Sequence, residues 1–153
     1  MATSIPSDCK KFRAAVAPMS AFIFVAGMIL VLIHNLISNG LHFDPSRLAF
    51  LSGFGLVALV FSIGYSWMIS LLFPDAFSAD GIYGHSFWGR RRFVRWHDIA
   101  SAQTFRLGNL RWLRVYAADG NITWLALFQS RDIEFRQEIK RLAPPGSPVL
   151  NYL

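Results

Sequence analysis

Four arginines form the densest group of side chains that could bind an anionic ligand: Arg90, Arg91, Arg92 and, after two apolar residues, Arg95. Guanidinium groups bind carboxylates and phosphates through paired N–H donors. Residues 78–143 carry eleven Lys and Arg against six Asp and Glu, so the whole segment is basic. The cluster predicts contact with anionic membrane lipid or with an acidic protein face. In a third interpretation, the cluster is not a binding site and only reflects the excess of positive charge on the cytoplasmic side of membrane segments.

A second group of candidate binding residues alternates along one predicted strand: Trp112, Arg114 and Tyr116. Alternate residues of a strand point to the same side of a sheet, so these three side chains share a face. Trp, Tyr and Arg are the residue types that contribute most to protein–protein binding. Tryptophan near a membrane also lies at the level of the lipid headgroups. The patch therefore predicts contact with a protein or with lipid, and both interpretations stay open.

Motifs for catalysis, metal binding and nucleic-acid binding are missing from the sequence. It contains no HExxH, GxSxG or Walker A motif, and its one cysteine, Cys9, excludes an internal disulfide. We therefore predict no catalytic residue, no metal and no cofactor, and we do not expect an enzyme. The pI near 10.1 would permit nucleic-acid binding. The predicted membrane tether and the absence of a nucleic-acid-binding motif argue against nucleic acid as a partner.

Two uncharged apolar stretches must position these side chains, and we predict that both are transmembrane helices. No Asp, Glu, Lys or Arg occurs from Val16 to Ile37 or from Leu48 to Phe73. A helix of about 20 residues crosses the hydrocarbon core of a bilayer. The first helix is predicted at residues 14–37 and the second at residues 48–73. A pair of buried core helices is disfavoured because the remaining chain is too short to surround them.

The distribution of Lys and Arg predicts the orientation of this helix pair. Lys10, Lys11 and Arg13 precede the first helix, and many arginines follow the second, whereas the loop at residues 38–47 contains only Arg47. Because cytoplasmic segments carry the excess of positive charge, both termini are predicted in the cytoplasm. Residues 1–13 then form a cytoplasmic tail and residues 38–47 an outer, periplasmic loop. The predicted location is a bacterial inner membrane.

The second helix carries small residues at strict four-residue spacing: Ala58, Ser62, Ser66 and Ser70. Such spacing places them on one face, where another helix can approach closely. The face is predicted either to pack against the first helix or to dock a different membrane protein.

The pattern after Phe73 changes to short strands of period two, separated by turn signals. Strands are predicted at residues 82–88, 92–96, 99–107, 110–117 and 122–128. The last two form a hairpin through Asp119-Gly120, a dipeptide typical of a two-residue type I′ turn. Ser130 is predicted to cap a final helix that seats Phe135, Ile139 and Leu142 on the sheet. Residues 144–153 are a predicted C-terminal tail.

A two-residue turn dictates the register of the hairpin and thus its buried face. It pairs Ala117 with Ile122, Val115 with Trp124, and Leu113 with Ala126. These six residues are predicted to form the core face, with Trp112, Arg114 and Tyr116 on the other side.

The segment from residue 77 to residue 143 resembles bacterial pleckstrin-homology-like (PH-like) domains, found in small membrane proteins described as PH domain-containing or YcxB-like. The resemblance lies in Ala79-Asp80-Gly81-Ile82, in Trp96-His97-Asp98-Ile99, in the Asp119-Gly120 hairpin and in the terminal helix. It implies a partial antiparallel β-barrel capped by one helix, without catalytic residues, so that the whole chain is an α+β membrane protein. The layout alone also resembles assembly factors of photosynthetic membrane complexes.

The resulting hypothesis is a non-catalytic, membrane-anchored module that binds, stabilises or helps assemble another membrane protein or complex. One alternative is an accessory subunit of a membrane transporter or redox enzyme. A further alternative is an immunity or sensor protein against a membrane-active partner. The predicted partners are the anionic lipids of the inner leaflet and another integral membrane protein.

Overall fold

The computed structural model describes residues 5–6, 9–40 and 45–153. Residues 1–4 and 7–8 of the predicted tail, and residues 41–44 of the predicted outer loop, lie outside the described residues. The chain forms two units. Residues 16–69 make one of them, and the segment up to Ala15 together with Ser70–Leu153 makes the other.

The first unit consists of two long helices, α1 at Val16–Asn39 and α2, which begins at Pro45 and runs to Leu72 in the second unit. Both are long and apolar enough to cross a membrane, over Val16–Ser38 and Leu48–Leu72. Only 11% and 6% of the most apolar windows of these segments are buried within the protein. A core helix of a soluble protein would be mostly covered, so this low burial disfavours the core-helix interpretation.

The second unit is an open antiparallel sheet of seven strands with a C-terminal helix. The strands are β1 at Lys10–Phe12, β2 at Asp75–Phe77, β3 at Gly81–His85, β4 at Arg91–Arg95, β5 at Ile99–Leu107, β6 at Leu110–Ala117 and β7 at Ile122–Ala126. Their order in the sheet is β1-β2-β3-β7-β6-β5, and β4 pairs with β3. The helix α3 spans Asp132–Leu142, and 3₁₀ turns lie at Trp96–Asp98 and Pro148–Tyr152.

Strand β1 comes from the segment predicted to be a tail. Lys11 lies opposite Ala76 of β2, although both long helices separate the two strands in sequence. Phe12 is 2% exposed, and its ring centroid lies 5.7 Å from that of Phe77 and 5.5 Å from that of Phe135. A three-residue strand is too short to show period-two alternation, which is why the sequence did not reveal it.

The core lies between one face of the sheet and α3. Phe135 and Ile139 of α3 are fully buried, and Leu142 packs against the same cluster, as predicted. The predicted C-terminal tail contributes Val149, which is also fully buried. Leu150, Tyr152 and Leu153 pack against the same cluster, so this segment is part of the core and not a free tail.

The predicted helix cap at Ser130 is wrong by one residue. Arg131 occupies the N-cap position, and in the part of the chain that the structure describes no side chain caps the helix there. The backbone N–H of Ser130 instead donates to the carbonyl of Arg13 at 2.9 Å, next to a bridge between Ala14 and Gln129. This tertiary hydrogen bond occupies the backbone N–H of Ser130, which lies in a turn, and the helix begins at Asp132.

The hairpin between β6 and β7 has a three-residue loop instead of the predicted two-residue turn. A type I′ turn needs positive φ at both central residues, but among the described residues only glycines have positive φ, including Gly120 at 81°. Gly120 N–H donates to Ala117 O at 3.0 Å, and Ala117 N–H donates to Asn121 O at 2.9 Å. The Asp119 carboxylate accepts from the backbone N–H of Asn121 at 2.9 Å. Together these bonds make a turn followed by one left-handed glycine, the usual three-residue hairpin loop.

This loop shifts β7 by one residue and reverses its two faces. Leu113 lies opposite Leu125, and Val115 lies opposite Thr123. All four are fully buried, whereas Trp124 is only partly buried and belongs to the outer face. The predicted burial of the β6 residues Leu113, Val115 and Ala117 is confirmed, and the predicted core positions of Ile122, Trp124 and Ala126 on β7 are wrong.

The register predicts opposite sensitivities for neighbouring residues of β7. Leu125→Ala leaves a cavity in the core, so we expect it to lower the free energy of unfolding of the sheet unit by about 2–5 kcal/mol. Trp124→Ala removes a partly exposed ring and should lower it less. Thermal unfolding of the detergent-solubilised protein, followed by circular dichroism, measures both. A larger loss for Trp124→Ala than for Leu125→Ala would contradict the observed register.

Candidate functional site: an aromatic and arginine face

The outer face of strands β5, β6 and β7 collects large aromatic side chains around one arginine. Trp112 and Arg114 alternate with buried residues on β6. The register places Phe105 opposite Trp112, and Trp124 opposite Arg114. Because paired residues of antiparallel strands point to the same side, all four lie on the face away from the core. We call this surface the aromatic–arginine face.

The rings of this face form an unbroken series of contacts. The centroids of Phe105 lie 6.1 Å from Trp112 and 5.5 Å from Trp124, and Trp112 lies 5.3 Å from Phe128. Trp124 in turn lies 5.7 Å from Phe87, which follows β3. Contacts at these distances stabilise ring pairs by about 0.5–1.5 kcal/mol each beyond burial. The face is therefore a preformed apolar surface rather than a set of independent side chains.

Arg114 lies among these rings. Its guanidinium carbon is 4.5 Å from the ring centroid of Phe105 and 4.6 Å from that of Trp124. Its Nε is buried and has no hydrogen-bond partner among the described residues. Cation–π contact with the two rings orients the guanidinium. The face thus combines an apolar surface with one oriented cation.

The third predicted residue of the patch, Tyr116, lies on the same face but outside the ring series. Its hydroxyl donates to Oε1 of Gln103 at 3.5 Å. The sequence identified Trp112, Arg114 and Tyr116, but it missed Phe105, Phe128 and Trp124. Phe105 and Phe128 lie on the face only because of strand pairing and packing, and Trp124 was missed because the predicted register was off by one residue.

The four arginines of the basic cluster do not act as one group. Arg90, Arg91 and Arg95 are exposed, on the turn before β4 and on β4 itself. Arg92 is partly buried and donates to the side-chain oxygen of Asn121. Strand alternation points Arg92 to the opposite side from Arg91, so the triplet is divided between two faces.

An open depression of about 590 Å³ lies beside Arg91 and Arg92, but its lining is electrically mixed. Asp98 and Asp119 also line it. Hydrogen bonds from the backbone and side chain of Asn121 lower the pKa of Asp119, which keeps its carboxylate charged. Two carboxylates beside two arginines weaken the attraction for a phosphate, so this depression is a poor anion site.

The small residues predicted along α2 are not an open docking surface. In the helical unit, Ser62 and Ser66 are 2% and 0% exposed and Ala58 is partly buried. The hydroxyl of Ser62 donates to the carbonyl of Ala58 at 2.7 Å. Ser70 belongs to the sheet unit, where its hydroxyl donates to the carbonyl of Ala14 at 2.8 Å. Other residues of the same chain cover these small side chains. This favours packing within the chain over docking of a different membrane protein.

A buried polar group that the sequence did not indicate lies directly after α2. Asp75 is 4% exposed, and its carboxylate accepts from the N–H of Ala126 at 3.1 Å and from Nε2 of Gln129 at 2.9 Å. His85 Nδ1 lies 3.8 Å from Asp75 Oδ1. Burial raises the pKa of Asp75 above its ordinary value of 3.8, although these donors and His85 oppose the shift. The group ties β2 to β7 through hydrogen bonds to one carboxylate.

The described residues contain no group of three His, Cys, Asp or Glu side chains able to hold a metal ion. Comparison of the chain with protein-family models, with curated proteins and with solved structures gives no match.

The raised pKa of Asp75 predicts a pH-dependent stability of the sheet unit. The folded state binds the Asp75 proton more tightly than the unfolded state, so stability is lost as pH rises from about 3.8 through the folded-state pKa. Asp75→Asn keeps an acceptor for Ala126 and carries no charge. Its stability relative to the unsubstituted protein should therefore increase as pH rises above about 4.

Thermal unfolding of both proteins at a series of pH values measures this difference. Asp98→Asn, which removes a carboxylate from the surface, serves as the matched control for a general change in charge. A stability difference for Asp75→Asn that is the same at every pH would contradict the assignment.

Proposed function

We propose that this protein is a non-catalytic, membrane-anchored binding module that holds another membrane protein or complex while that partner is stabilised or assembled. The observation that carries the proposal is the aromatic–arginine face, a continuous and partly exposed series of rings around Arg114. Tryptophan and arginine contribute most to binding at protein interfaces, and rings already in contact lose little conformational entropy on association. The Arg114 guanidinium would receive an acceptor, such as a carboxylate or a backbone carbonyl, from the partner.

Membrane anchoring is supported by the surface of α1 and α2. Large apolar side chains such as Phe61 at 65%, Leu56 at 66% and Ile37 at 80% are exposed along both helices. Water would disfavour so much apolar surface, whereas hydrocarbon would not. With basic residues on both sides of the helix pair and few between, the proposed location is a bacterial inner membrane with both termini in the cytoplasm.

A PH-like identity of the sheet unit is part of the proposal and has support in its local structure. Trp96 of the W-x-D-I motif is 6% exposed, and its indole N–H donates to the carbonyl of Ser78 at 3.0 Å. This bond fastens the end of β4 to the chain before β3. The order of an antiparallel sheet followed by a helix, α3, on its core agrees with the resemblance, although the sheet is open and not the partial barrel that the resemblance implies. PH-like domains are binding modules, so this identity agrees with a non-catalytic role.

Site-specific photo-crosslinking in native membranes tests the proposed partner face. A photoreactive residue at position 112 should crosslink to an integral membrane protein, whereas one at Ile133, exposed on α3, should not. Arg114→Ala should reduce the crosslink at position 112 by about fivefold or more, because a residue central to an interface contributes at least about 1 kcal/mol. Arg106→Ala, an exposed arginine of β5, is the matched control. Equal crosslinking at positions 112 and 133 would refute this face as the partner site.

The proposed topology is tested by labelling intact cells. A cysteine introduced at Gly40 should react with a membrane-impermeant maleimide from outside. A reporter fused after Leu153 should show activity typical of the cytoplasm. Labelling of position 40 only after the cells are broken would reverse the orientation.

A further inference from the structure

Two adjacent aromatic side chains at the tip of the β3–β4 turn are almost fully exposed. Phe87 is 70% and Trp88 84% exposed, and their ring centroids lie 5.3 Å apart at a near-perpendicular angle. Nearly bare neighbouring aromatic rings are unfavourable in water, and they mark a surface that another apolar phase covers.

The turn is a well-defined structure that holds these rings outward. Ser86 N–H donates to Arg90 O at 2.7 Å, and Gly89 N–H donates to Ser86 O at 2.9 Å. The hydroxyl of Ser86 accepts from the N–H of Arg90 at 3.1 Å. Gly89 has φ of 74°, a conformation that L-residues with side chains rarely adopt. Phe87 and Trp88 are thus presented by a hydrogen-bonded tip.

The same turn packs against Phe73, the first residue after α2. A Cβ atom on Gly89 would lie 2.9 Å from the Phe73 ring, so the glycine allows this close approach. The Phe73 ring also meets His85, with centroids 5.2 Å apart. The candidate membrane span ends at Leu72, one residue earlier. The turn is therefore placed where the chain leaves the span.

With Leu48–Leu72 crossing a membrane, as proposed above, the turn falls in the interfacial layer of the bilayer. The headgroup region adds roughly 5–8 Å on each side of the hydrocarbon core. Tryptophan and other aromatic rings concentrate in this layer because one part of the ring is apolar and its edge accepts water. Arg90 and Arg91, both exposed, follow the two rings directly and would meet anionic headgroups.

We infer that the turn at residues 86–90 is an interfacial membrane anchor, with Phe87 and Trp88 inserted at the boundary between acyl chains and headgroups of an anionic leaflet. Arg90 and Arg91 bind the headgroups beside them. The inference rests on the membrane anchoring in the proposed function. It also deepens that function, because Phe87 contacts Trp124 of the aromatic–arginine face. One end of that face then lies at the bilayer surface, so it is directed to a segment of the partner that borders the membrane.

The test measures the depth of spin labels on the full chain reconstituted in vesicles of phosphatidylcholine and phosphatidylglycerol. In a Cys9→Ser background, labels are attached to the variants Trp88→Cys and Phe87→Cys, and to Ile133→Cys as a control of similar exposure, 73%, on α3. We expect the labels at positions 87 and 88 to lose most of their collisions with an aqueous nickel complex and to gain collisions with oxygen. The label at position 133 should remain accessible to nickel.

A second variant tests the contribution of charge. Arg90→Gln combined with Arg91→Gln should move the label at position 88 toward water in anionic vesicles, with a smaller shift in vesicles of phosphatidylcholine alone. Electrostatic attraction to the surface acts only where the lipid carries charge. A label depth that is unchanged by the double substitution in anionic vesicles would overturn the role of the two arginines.

Three outcomes separate the inference from the proposed function. In the first outcome, the protein resists carbonate extraction but the labels at positions 87 and 88 are as accessible to nickel as the label at position 133. This outcome would overturn the anchor and leave the proposed function intact. Shielding that appears only when native membrane proteins are added would assign the turn to a protein occupant and also overturn it. Complete extraction by carbonate would refute the membrane anchoring on which both depend.

Discussion

Strands β1 and β2 pair although the complete helix hairpin lies between them in sequence, and the rest of the sheet unit depends on this pairing. β1 ends at Phe12, shortly before α1, and β2 begins at Asp75, shortly after α2. Pairing them brings the start and the end of the hairpin to one edge of the sheet. Phe12 then completes the aromatic part of the core against Phe77 and Phe135. The entropy lost in closing so long a loop is offset by burying three large rings.

Asp75, the first residue of β2, strengthens the attachment of β2 to the sheet, although this places a carboxylate in the protein interior. Its bonds to Ala126 and Gln129 fasten β2 to the end of β7, where the chain turns toward α3. Burial of a charge is unfavourable unless hydrogen bonds compensate for the lost hydration. The pKa of Asp75 is raised because its hydrogen bonds compensate for only part of this loss. This buried carboxylate lies three residues after α2 ends at Leu72.

The aromatic–arginine face and the turn at residues 86–90 form one connected surface through the contact of Phe87 with Trp124. At one end of this surface the rings are almost bare and are flanked by arginines. At the other end they are half-covered and surround the Arg114 guanidinium. In the function proposed above, the bare rings meet the lipid interface, and the covered end with its oriented cation meets a polypeptide.

The sequence by itself determined the features that depend on composition along a continuous segment. The α1 and α2 segments were predictable within a few residues because each is a long, almost uncharged apolar stretch. The strands from β3 to β7 and the helix α3 were predictable because alternation and helical spacing are local patterns. The basic character of the sheet unit and the shared face of Trp112, Arg114 and Tyr116 followed from the same local rules.

Tertiary structure decided every feature that requires segments distant in sequence to meet. Strand β1 exists because β2 supplies its hydrogen bonds, and Ser130 is not a cap because Arg13 binds its backbone. Asp119 does not adopt the positive φ of a type I′ turn, so the hairpin loop has three residues and not two. This one extra loop residue exchanges the two faces of β7 and places Trp124 on the outer face. A local pattern shows which residues can be buried. Which of them are buried, and which rings remain on the surface to bind, is decided by the hydrogen bonds between strands.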